Sequence, residues 1–507
     1  MIFRSSKVGC VSTSNLLGHL LHRIATLILT TVTVALSICS VKIGYCADKR
    51  SVPNIVLILA DDLGWSDLAC YGSRVHETPN LDRFAQQAVR FTDAYAAAPV
   101  CTPTRASLMT GKSPARLHMT IWREAAEDPP RNRRLLPPIC VANLPYSETT
   151  IANRLHDAGY LTALVGKWHL GDYAHYPEDF GFDVNIGGTG WGCPATYFYP
   201  YRGMMAKELR YVPHLEFGKP DEYLTDRLTD EALRIIDRAG AQPFFLYLAH
   251  HAVHVPLEAK PADVKHCVEL AAERSPRSNA VYAAMVRNLD ENFGRLMAHL
   301  RRRGLAENTI VVFFSDNGGF VDQWNKQQVT SNAPLRSGKG SLYEGGIREP
   351  LLVLWPGVTP KGAVCHEPVI SNDLFFTLLA AAGVTGRADP APEGLDIAPL
   401  LKNPAARLGR DALFFHYPHY YGGSKDKMTP SSAVRAGDWK LLEFFEDHRT
   451  ELYNLRNDLS ETTNLAPQMS DKARGLRDRL HAWRDAVQAQ IPVENPAAGS
   501  SGRKRLE

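Results

Sequence analysis

Five short apolar runs punctuate the chain: Asn54–Ala60, Leu161–Val165, Pro243–Ala249, Thr309–Ser315 and Leu351–Trp355. Each is rich in β-branched or aromatic residues and apolar without alternation, as a strand covered on both faces requires. Between them the apolar spacing becomes helical. Thr78-Pro79 form a cap and first-turn pair, and Leu81, Phe84, Ala85, Ala88 and Val89 follow at helical spacing. A longer helix is predicted from Asn279 to Arg303, with Met285, Leu289, Phe293, Leu296 and Leu300 on one stripe and Gly304 ending it. Past about residue 405 the texture changes to short aromatic segments, Leu413–Tyr417, Trp439–Phe445 and Glu451–Leu455, separated by turn-rich pieces. These predict a small antiparallel sheet with a closing helix over about 471–488. The expected fold is α/β: a large mixed, mainly parallel sheet sandwiched by helices, with a smaller C-terminal antiparallel sheet plus helix.

A chain of 507 residues can bury a large core and divide into more than one domain. Basic residues up to Arg23 precede an apolar run over 24–39, and small residues then lead to Ala47, the charged, apolar and cleavage order of a secretory leader. The predicted organisation is a leader over 1–47, a catalytic region over 48–405, a C-terminal subdomain over 406–494 and a disordered tail over 495–507. The leader carries Arg4, Lys7, Arg23 and Lys42 and no acid, so its removal brings the formal charge of +3 close to zero. That argues against a nucleic-acid partner, which wants a concentrated basic face, and cleavage leaves no stable membrane insertion. Cys70, Cys101, Cys140, Cys193, Cys267 and Cys365 remain, without CxxC metal spacing. With Cys101 set aside their number is odd, so at least one thiol is expected free. No Asn-x-Ser/Thr sequon occurs, which for an exported protein favours a bacterial periplasmic or secreted location.

Polar residues gather where the apolar runs end. Asp61-Asp62 follow the first run, Lys167-Trp168-His169 the second, His250-His251-Ala252-Val253-His254 the third and Asp316-Asn317-Gly318-Gly319 the fourth. Ligands of open α/β sheets bind beyond the carboxyl ends of the strands. Asp61, Asp62, Asp316 and Asn317 are hard-oxygen ligands suited to Ca²⁺ or Mg²⁺ rather than to a soft metal. His254 is a candidate general acid, and Lys339 lies in a glycine-rich loop able to close over an anion. Singly, each has a bland reading as a capped turn, a core histidine or an ordinary loop; together they point to one site.

The most specific stretch is Cys101-Thr102-Pro103-Thr104-Arg105, continuing into Thr110-Gly111-Lys112. It places a thiol beside a fixed cation at or near a helix N-terminus, where an anionic ligand is favoured. The run resembles the signature of type I sulfatases, Cys-x-Pro-x-Arg followed by Thr-Gly-Lys/Arg, with Thr104 where Ser is commoner. The resemblance extends from Asn54 to about Leu465 through Asp61–Trp65, Thr78–Asp82, Gly166–Gly171, Phe314–Gly319, Glu344–Arg348, Gly437–Leu441 and Glu451–Leu455. Within the alkaline-phosphatase-like superfamily it is similar to the arylsulfatase A and N-acetylgalactosamine-6-sulfatase branch.

What the resemblance implies is a sulfuric ester hydrolase acting on a sulfated sugar or polysaccharide. A maturation enzyme would convert Cys101 to formylglycine, and one hydroxyl of the aldehyde hydrate would attack sulfur. Asp61, Asp62, Asp316, Asn317 and the modified Cys101 would hold Ca²⁺. Arg105, Lys167 and Lys339 would neutralise the nucleophile and sulfate oxygens, His254 would protonate the departing alcohol, and His169 would take the proton that releases sulfate. His416, His419 and Arg435 are candidate readers of the sugar. Two alternatives stay open on the residues alone: a phosphate or phosphonate ester hydrolase of the same superfamily, and a catalytically silent glycan-binding homologue.

Overall fold

The computed structural model describes residues 52–205, 207–274, 278–384, 393–421 and 428–498. The predicted leader lies outside the described residues, as does the chain beyond residue 498.

One large sheet organises the molecule. Its strands are β1 Asn54–Ala60, β2 Val89–Tyr95, β3 Leu161–Gly166, β4 Val184–Ile186, β5 Phe244–Ala249, β6 Thr309–Ser315, β7 Arg348–Leu354, β8 Val364–Cys365 and β9 Val369–Ile370. They lie in the order β8-β2-β7-β6-β1-β5-β3-β4, with β9 also paired to β2. Only β7 runs antiparallel to its neighbours β2 and β6; the other pairings are parallel. All five predicted runs are strands of this sheet. Structure and sequence expectation differ at β2: the periodicity puts Ala88 and Val89 on the preceding helix, which ends at Ala85. The run Val89–Tyr95 carries polar Thr92 and Asp93 and only part of it is fully buried, so it lacks the unbroken apolar signal of the other strands.

The main helices are α1 Pro79–Ala85, α2 Cys101–Thr110, α3 Ile151–Asp157, α4 Leu224–Ala239, α5 Ala280–Arg302, α6 Ser371–Ala381 and α7 Ser470–Ala486. Side chains of a strand alternate between faces, and β1 shows the division. Ile55, Leu57 and Leu59 enter a core with α2, α3 and α6, while Val56, Ile58 and Ala60 enter one with α1, α4 and α5. The Asn279 side chain caps α5 by accepting from the Val281 and Tyr282 N–H groups, and Gly304 follows that helix at φ 69°.

Strands β10 Leu413–Tyr417, β11 Ser431–Ala436, β12 Trp439–Phe444 and β13 Thr450–Asn454 form a separate antiparallel meander. Helix α7 covers one face, Ala473, Leu476 and Leu480 meeting Val434, Leu441 and Leu452. The other face brings Phe415, Ala433 and Leu442 against Tyr95, Ile347 and Ile370 of the main body. A buried charge network crosses this junction. Lys440 Nζ lies 2.8 Å from Glu344 Oε1 and 3.0 Å from Glu461 Oε1, Arg348 Nε donates to Glu344 Oε2 at 2.6 Å, and Arg435 Nη2 pairs with Asp93 Oδ1 at 2.7 Å.

Asn495, where the sequence predicts the start of a disordered tail, instead donates its backbone N–H to the Arg134 carbonyl at 2.9 Å, after Val493–Glu494 pair with Leu135–Leu136. Among the described residues no helix is long and apolar enough to cross a membrane. The six cysteines there, Cys70, Cys101, Cys140, Cys193, Cys267 and Cys365, are all free thiols.

Candidate active site

Because β1, β3, β5 and β6 are parallel, their carboxyl ends share one edge of the sheet. That edge receives Asp61-Asp62 after β1, Lys167-Trp168-His169 after β3, His250–His254 after β5 and Asp316-Asn317 after β6. Strand β2 points the same way and leads into α2, whose first residue is Cys101 and whose ten residues are all buried. Glycines allow the close approaches. Gly166 sits at φ 104°, and a Cβ there would stand 2.0 Å from the Ala249 carbonyl oxygen, the group that accepts the Lys167 N–H. Asp62 and His169 adopt the left-handed region at φ 60° and 59°. Such a conformation is costly for non-glycine residues and collects at functional sites.

Three cations and three carboxylates interlock around the thiol. Arg105 donates from Nε at 2.9 Å and Nη2 at 2.7 Å to Asp316 Oδ2, and from Nη1 to the Lys167 carbonyl at 3.0 Å. Lys167 Nζ donates to Asp61 Oδ2 at 2.6 Å. Lys339 Nζ donates to Asp62 Oδ2 at 2.8 Å and to His254 Nε2 at 2.9 Å. Burial opposes the charge on Arg105, Lys167 and Lys339, but the facing carboxylates outweigh it and raise all three pKa values, so they stay cationic at neutral pH. Burial raises Asp61 to about 8, helped by Asp316 and opposed by Lys167 and Arg105. Burial works against Asp62 too, yet His254 when protonated and Lys339 hold it below the usual carboxylate range. At neutral pH the lysine supplies that charge, because burial drives His254 down to about 3.

The donor set fits a hard dication. Asp61, Asp62 and Asp316 bring carboxylate oxygens within 4.8 Å of one another, all buried, and ligand atoms of Asp61, Cys101 and the partly buried His254 approach one another as closely. Asp61 Oδ1 and Asn317 Oδ1 are buried without a hydrogen-bond partner, and Asn317 Nδ2 donates to Asp62 Oδ1 at 2.8 Å. Orphaned oxygens beside converging carboxylates are what a Ca²⁺ or Mg²⁺ site presents. The thiol itself is a poor ligand: burial pushes Cys101 up to about 11, against the pull of Lys167 and Lys339. At neutral pH it is not a thiolate, the form that attacks or binds metal.

A cavity of about 410 Å³ opens on this cluster, lined by Asp62, Cys101, His169, His254 and Lys339 on the charged side. His254 Nδ1 donates to the Val255 carbonyl at 2.8 Å, which leaves Nε2 as the atom shared with Lys339. His169 Nε2 lies 2.8 Å from Glu124 Oε2, so the ring donates there and its Nδ1 is a buried acceptor without a partner. Burial lowers His169 to about 4, with Glu124 acting the other way. The edge therefore brings together Asp61, Asp62, Cys101, Arg105, Lys167, His169, His254, Asp316, Asn317 and Lys339.

Three sequence candidates lie elsewhere. His416 has both ring nitrogens occupied, by Ser432 Oγ at 2.7 Å and the Gln490 carbonyl at 2.9 Å. His419 is bound to Thr120 Oγ1 at 2.8 Å, and Arg435 belongs to the junction network with Asp93 and Tyr95. None of them lines the cavity; they are buried polar groups with internal partners. Conversely, Trp122, Glu124, Cys193, Met205, Arg210 and Tyr421 line it and are not among the sequence candidates. They come from loops, a one-turn helix over Arg123–Glu127 and a hairpin, none with a periodic signal, so a single sequence gives no cue that they converge.

The family described as Sulfatase matches residues 53–384, and that described as N-sulphoglucosamine sulphohydrolase, C-terminal, matches 338–486. A protein named Sulfatase from Formosa agariphila is 33% identical over 86% of this chain and 89% of its own length. Human N-acetylgalactosamine-6-sulfatase is 37% identical over 78% of this chain and 73% of its own. A crystal structure described as Ps i-CgsB in complex with k-i-k-neocarrahexaose superposes with a TM-score of 0.71 at 30% identity, over 90% of this chain and 98% of that one.

Proposed function

The chain belongs to the sulfatase family and is a hydrolase of sulfuric esters, and from that premise we propose that it cleaves a sulfate ester on a sulfated sugar, with Cys101 converted to formylglycine and a bound Ca²⁺. The observation that carries this reading is the setting of Cys101. A buried thiol, held up at about 11, stands at a helix N-terminus among Arg105, Lys167 and Lys339. The surroundings are built for an oxyanion, while the thiol is in the wrong state to be a nucleophile. Oxidation to an aldehyde, whose hydrate carries two hydroxyls on one carbon, resolves the mismatch: one oxygen attacks sulfur and the other drives the release of sulfate.

Asp61, Asp62, Asp316 and Asn317, with the modified Cys101, would hold Ca²⁺, which supplies positive charge against the sulfate and nucleophile oxygens. Lys167 and Lys339 place further fixed charge where negative charge develops, which in many enzymes lowers the barrier more than any other single effect. His254, fixed through Nδ1 by Val255, takes a proton at Nε2 from Lys339 as negative charge builds on the departing alcohol and passes it to that oxygen, and Lys339 regains its proton from solvent before the next turnover. His169 receives a proton at its free Nδ1, with Glu124 on its far side setting the tautomer. A sugar substrate is supported by the similarity to a protein named N-acetylgalactosamine-6-sulfatase and to a structure holding a neocarrahexaose. Export behind residues 1–47, a catalytic region to about 405, a C-terminal subdomain to about 494 and dependence on a maturation enzyme complete the proposal.

The deciding experiment is the mass of the tryptic peptide Phe91–Arg105 from protein made beside a maturation enzyme, paired with turnover of an aryl sulfate. An aldehyde mass with turnover, lost in Cys101→Ala, is the expected result. An intact thiol and no turnover, where a control sulfatase matures, would leave a silent glycan-binding homologue.

A further inference from the structure

The cavity has a second charged wall that the chemistry above leaves unused. Arg210 lies on the hairpin formed by Arg202–Met205 and Glu208–Tyr211, is only 6% exposed, and lines the cavity beside Glu124, Gly192 and Cys193. A guanidinium carries five N–H donors. Among the described residues its side chain makes one hydrogen bond, from Nη1 to Cys193 Sγ at 3.1 Å, and thiol sulfur is a weak acceptor. Its Nε is buried without a partner. The nearest carboxylate oxygens, Glu124 Oε1 at 3.7 Å and Glu208 Oε2 at 3.6 Å, are too far for direct hydrogen bonds. Glu124 is already committed, through Oε2 to His169 and through Oε1 to the Gly192 N–H at 2.9 Å. Trp191 lies under the guanidinium at 5.4 Å and limits where it can turn.

A cation withdrawn from water and left this short of oxygen acceptors is costly unless a ligand supplies them. The cavity is where such oxygens can enter. We propose that Arg210 forms a subsite for an oxyanion substituent of the substrate, a carboxylate or a second sulfate, carried by the sugar that bears the scissile sulfate or by its neighbour. The planar fork suits either group bidentately, and Trp122, Met205, Phe320 and Tyr421 give the cavity apolar surface for a ring between the two charged walls. The subsite rests on the sulfatase reading above and narrows it: the preferred sugar carries a second acidic group.

The test uses the full chain with Cys101 conversion verified by mass. Values of kcat/KM are measured for an aryl sulfate, N-acetylgalactosamine 6-sulfate, the same sugar with a second sulfate, and the same sugar joined to a uronate. Wild type should prefer at least one doubly acidic substrate over the monosulfated sugar. Arg210→Gln and Arg210→Lys should cut that preference, the former by about ten- to a hundredfold as charge-assisted hydrogen bonds are lost. Taking each value relative to the aryl sulfate removes losses from poor folding. A cut confined to the disulfated sugar assigns the subsite to sulfate, one confined to the uronate assigns it to carboxylate, and a cut in both assigns it to either. A wild type that turns over the aryl sulfate but gains nothing from a second acid, or variants whose preference stays within about twofold of wild type, overturns the subsite. A wild type inactive on all four overturns the sulfatase reading instead.

Discussion

Replacing Arg105 by Met tests whether the site's charges depend on one another as their geometry implies. The arginine is fully buried; it gives two hydrogen bonds to Asp316 Oδ2 and one to the Lys167 carbonyl, and stands 3.9 Å from Asp61 Oδ2. Methionine keeps a flexible chain that can fill the space but leaves a buried carboxylate without its cation. Breaking such a pair from one side costs about 3–5 kcal/mol, a large share of a total stability of about 5–15 kcal/mol. Urea unfolding in a chelator should show a loss of that size for Arg105→Met. The double variant Arg105→Met/Asp316→Asn should recover part of it, with a coupling energy of about 0.5–3 kcal/mol. Adding Ca²⁺ should then raise the midpoint of Arg105→Met more than that of wild type, because a dication replaces charge the variant lacks. A loss below about 1 kcal/mol in chelator would refute the reasoning, since it falls well short of the cost of stranding one member of a buried ion pair.

Further outcomes follow from the same geometry. Glu124→Gln keeps an acceptor for His169 but removes the charge that raises its pKa, which now lies near 4. With an activated aryl sulfate, for which sulfate release limits turnover, the acid limb of kcat, set by protonation of His169, should move about one unit further acid, and kcat should fall; an unmoved limb would exclude His169 as the base. Stripping Ca²⁺ should suppress turnover and lower the thermal midpoint together, and full activity in a sample proved metal-free by elemental analysis would remove the metal from the reading. Lys440→Met leaves Glu344 and Glu461 facing each other in the buried junction, at about 3–5 kcal/mol. Burial, then Glu344, raises Glu461 to about 7, so its proton binds the folded state more tightly than the unfolded one. The deficit should therefore shrink as pH falls from 8 towards 5, and a deficit independent of pH would show that Glu461 is not the stranded charge.

The parts of this fold that were legible in the sequence are those whose environment is simple. Strands β1, β3, β5, β6 and β7 are covered on both faces, so each contains an unbroken apolar run that stands out, in β7 its second half Leu351–Leu354. The same parallel arrangement made the site legible, since polar residues directly following such runs must share an edge. Strand β2 escaped because Thr92 and Asp93 interrupt it. His416, His419 and Arg435 were singled out because they lie in the C-terminal segment, but chain position does not tell which side chains border a cavity, and here serine, threonine and carboxylate partners hold them away from it. Glu124 and Arg210 were invisible for the opposite reason. One comes from a short helix over Arg123–Glu127 and the other from a hairpin, and only tertiary folding sets them 3.7 Å apart.

The helix that begins at Cys101 has all ten of its residues buried, and this fixes an order of events in biosynthesis. Small molecules can reach the thiol through the cavity, but the surrounding peptide cannot be drawn into another enzyme's active site without pulling α2 out from under the sheet. Thr102 holds the His169 carbonyl, Thr104 the Ala98 carbonyl, and Arg105 the Asp316 carboxylate, so extraction would undo the catalytic edge itself. Any enzymatic alteration of Cys101 therefore belongs to the interval before the sheet closes. If Cys101 is converted by an enzyme as proposed, a molecule that folds with its thiol intact would have missed that window, and adding the enzyme afterwards would not rescue it unless the chain were first unfolded.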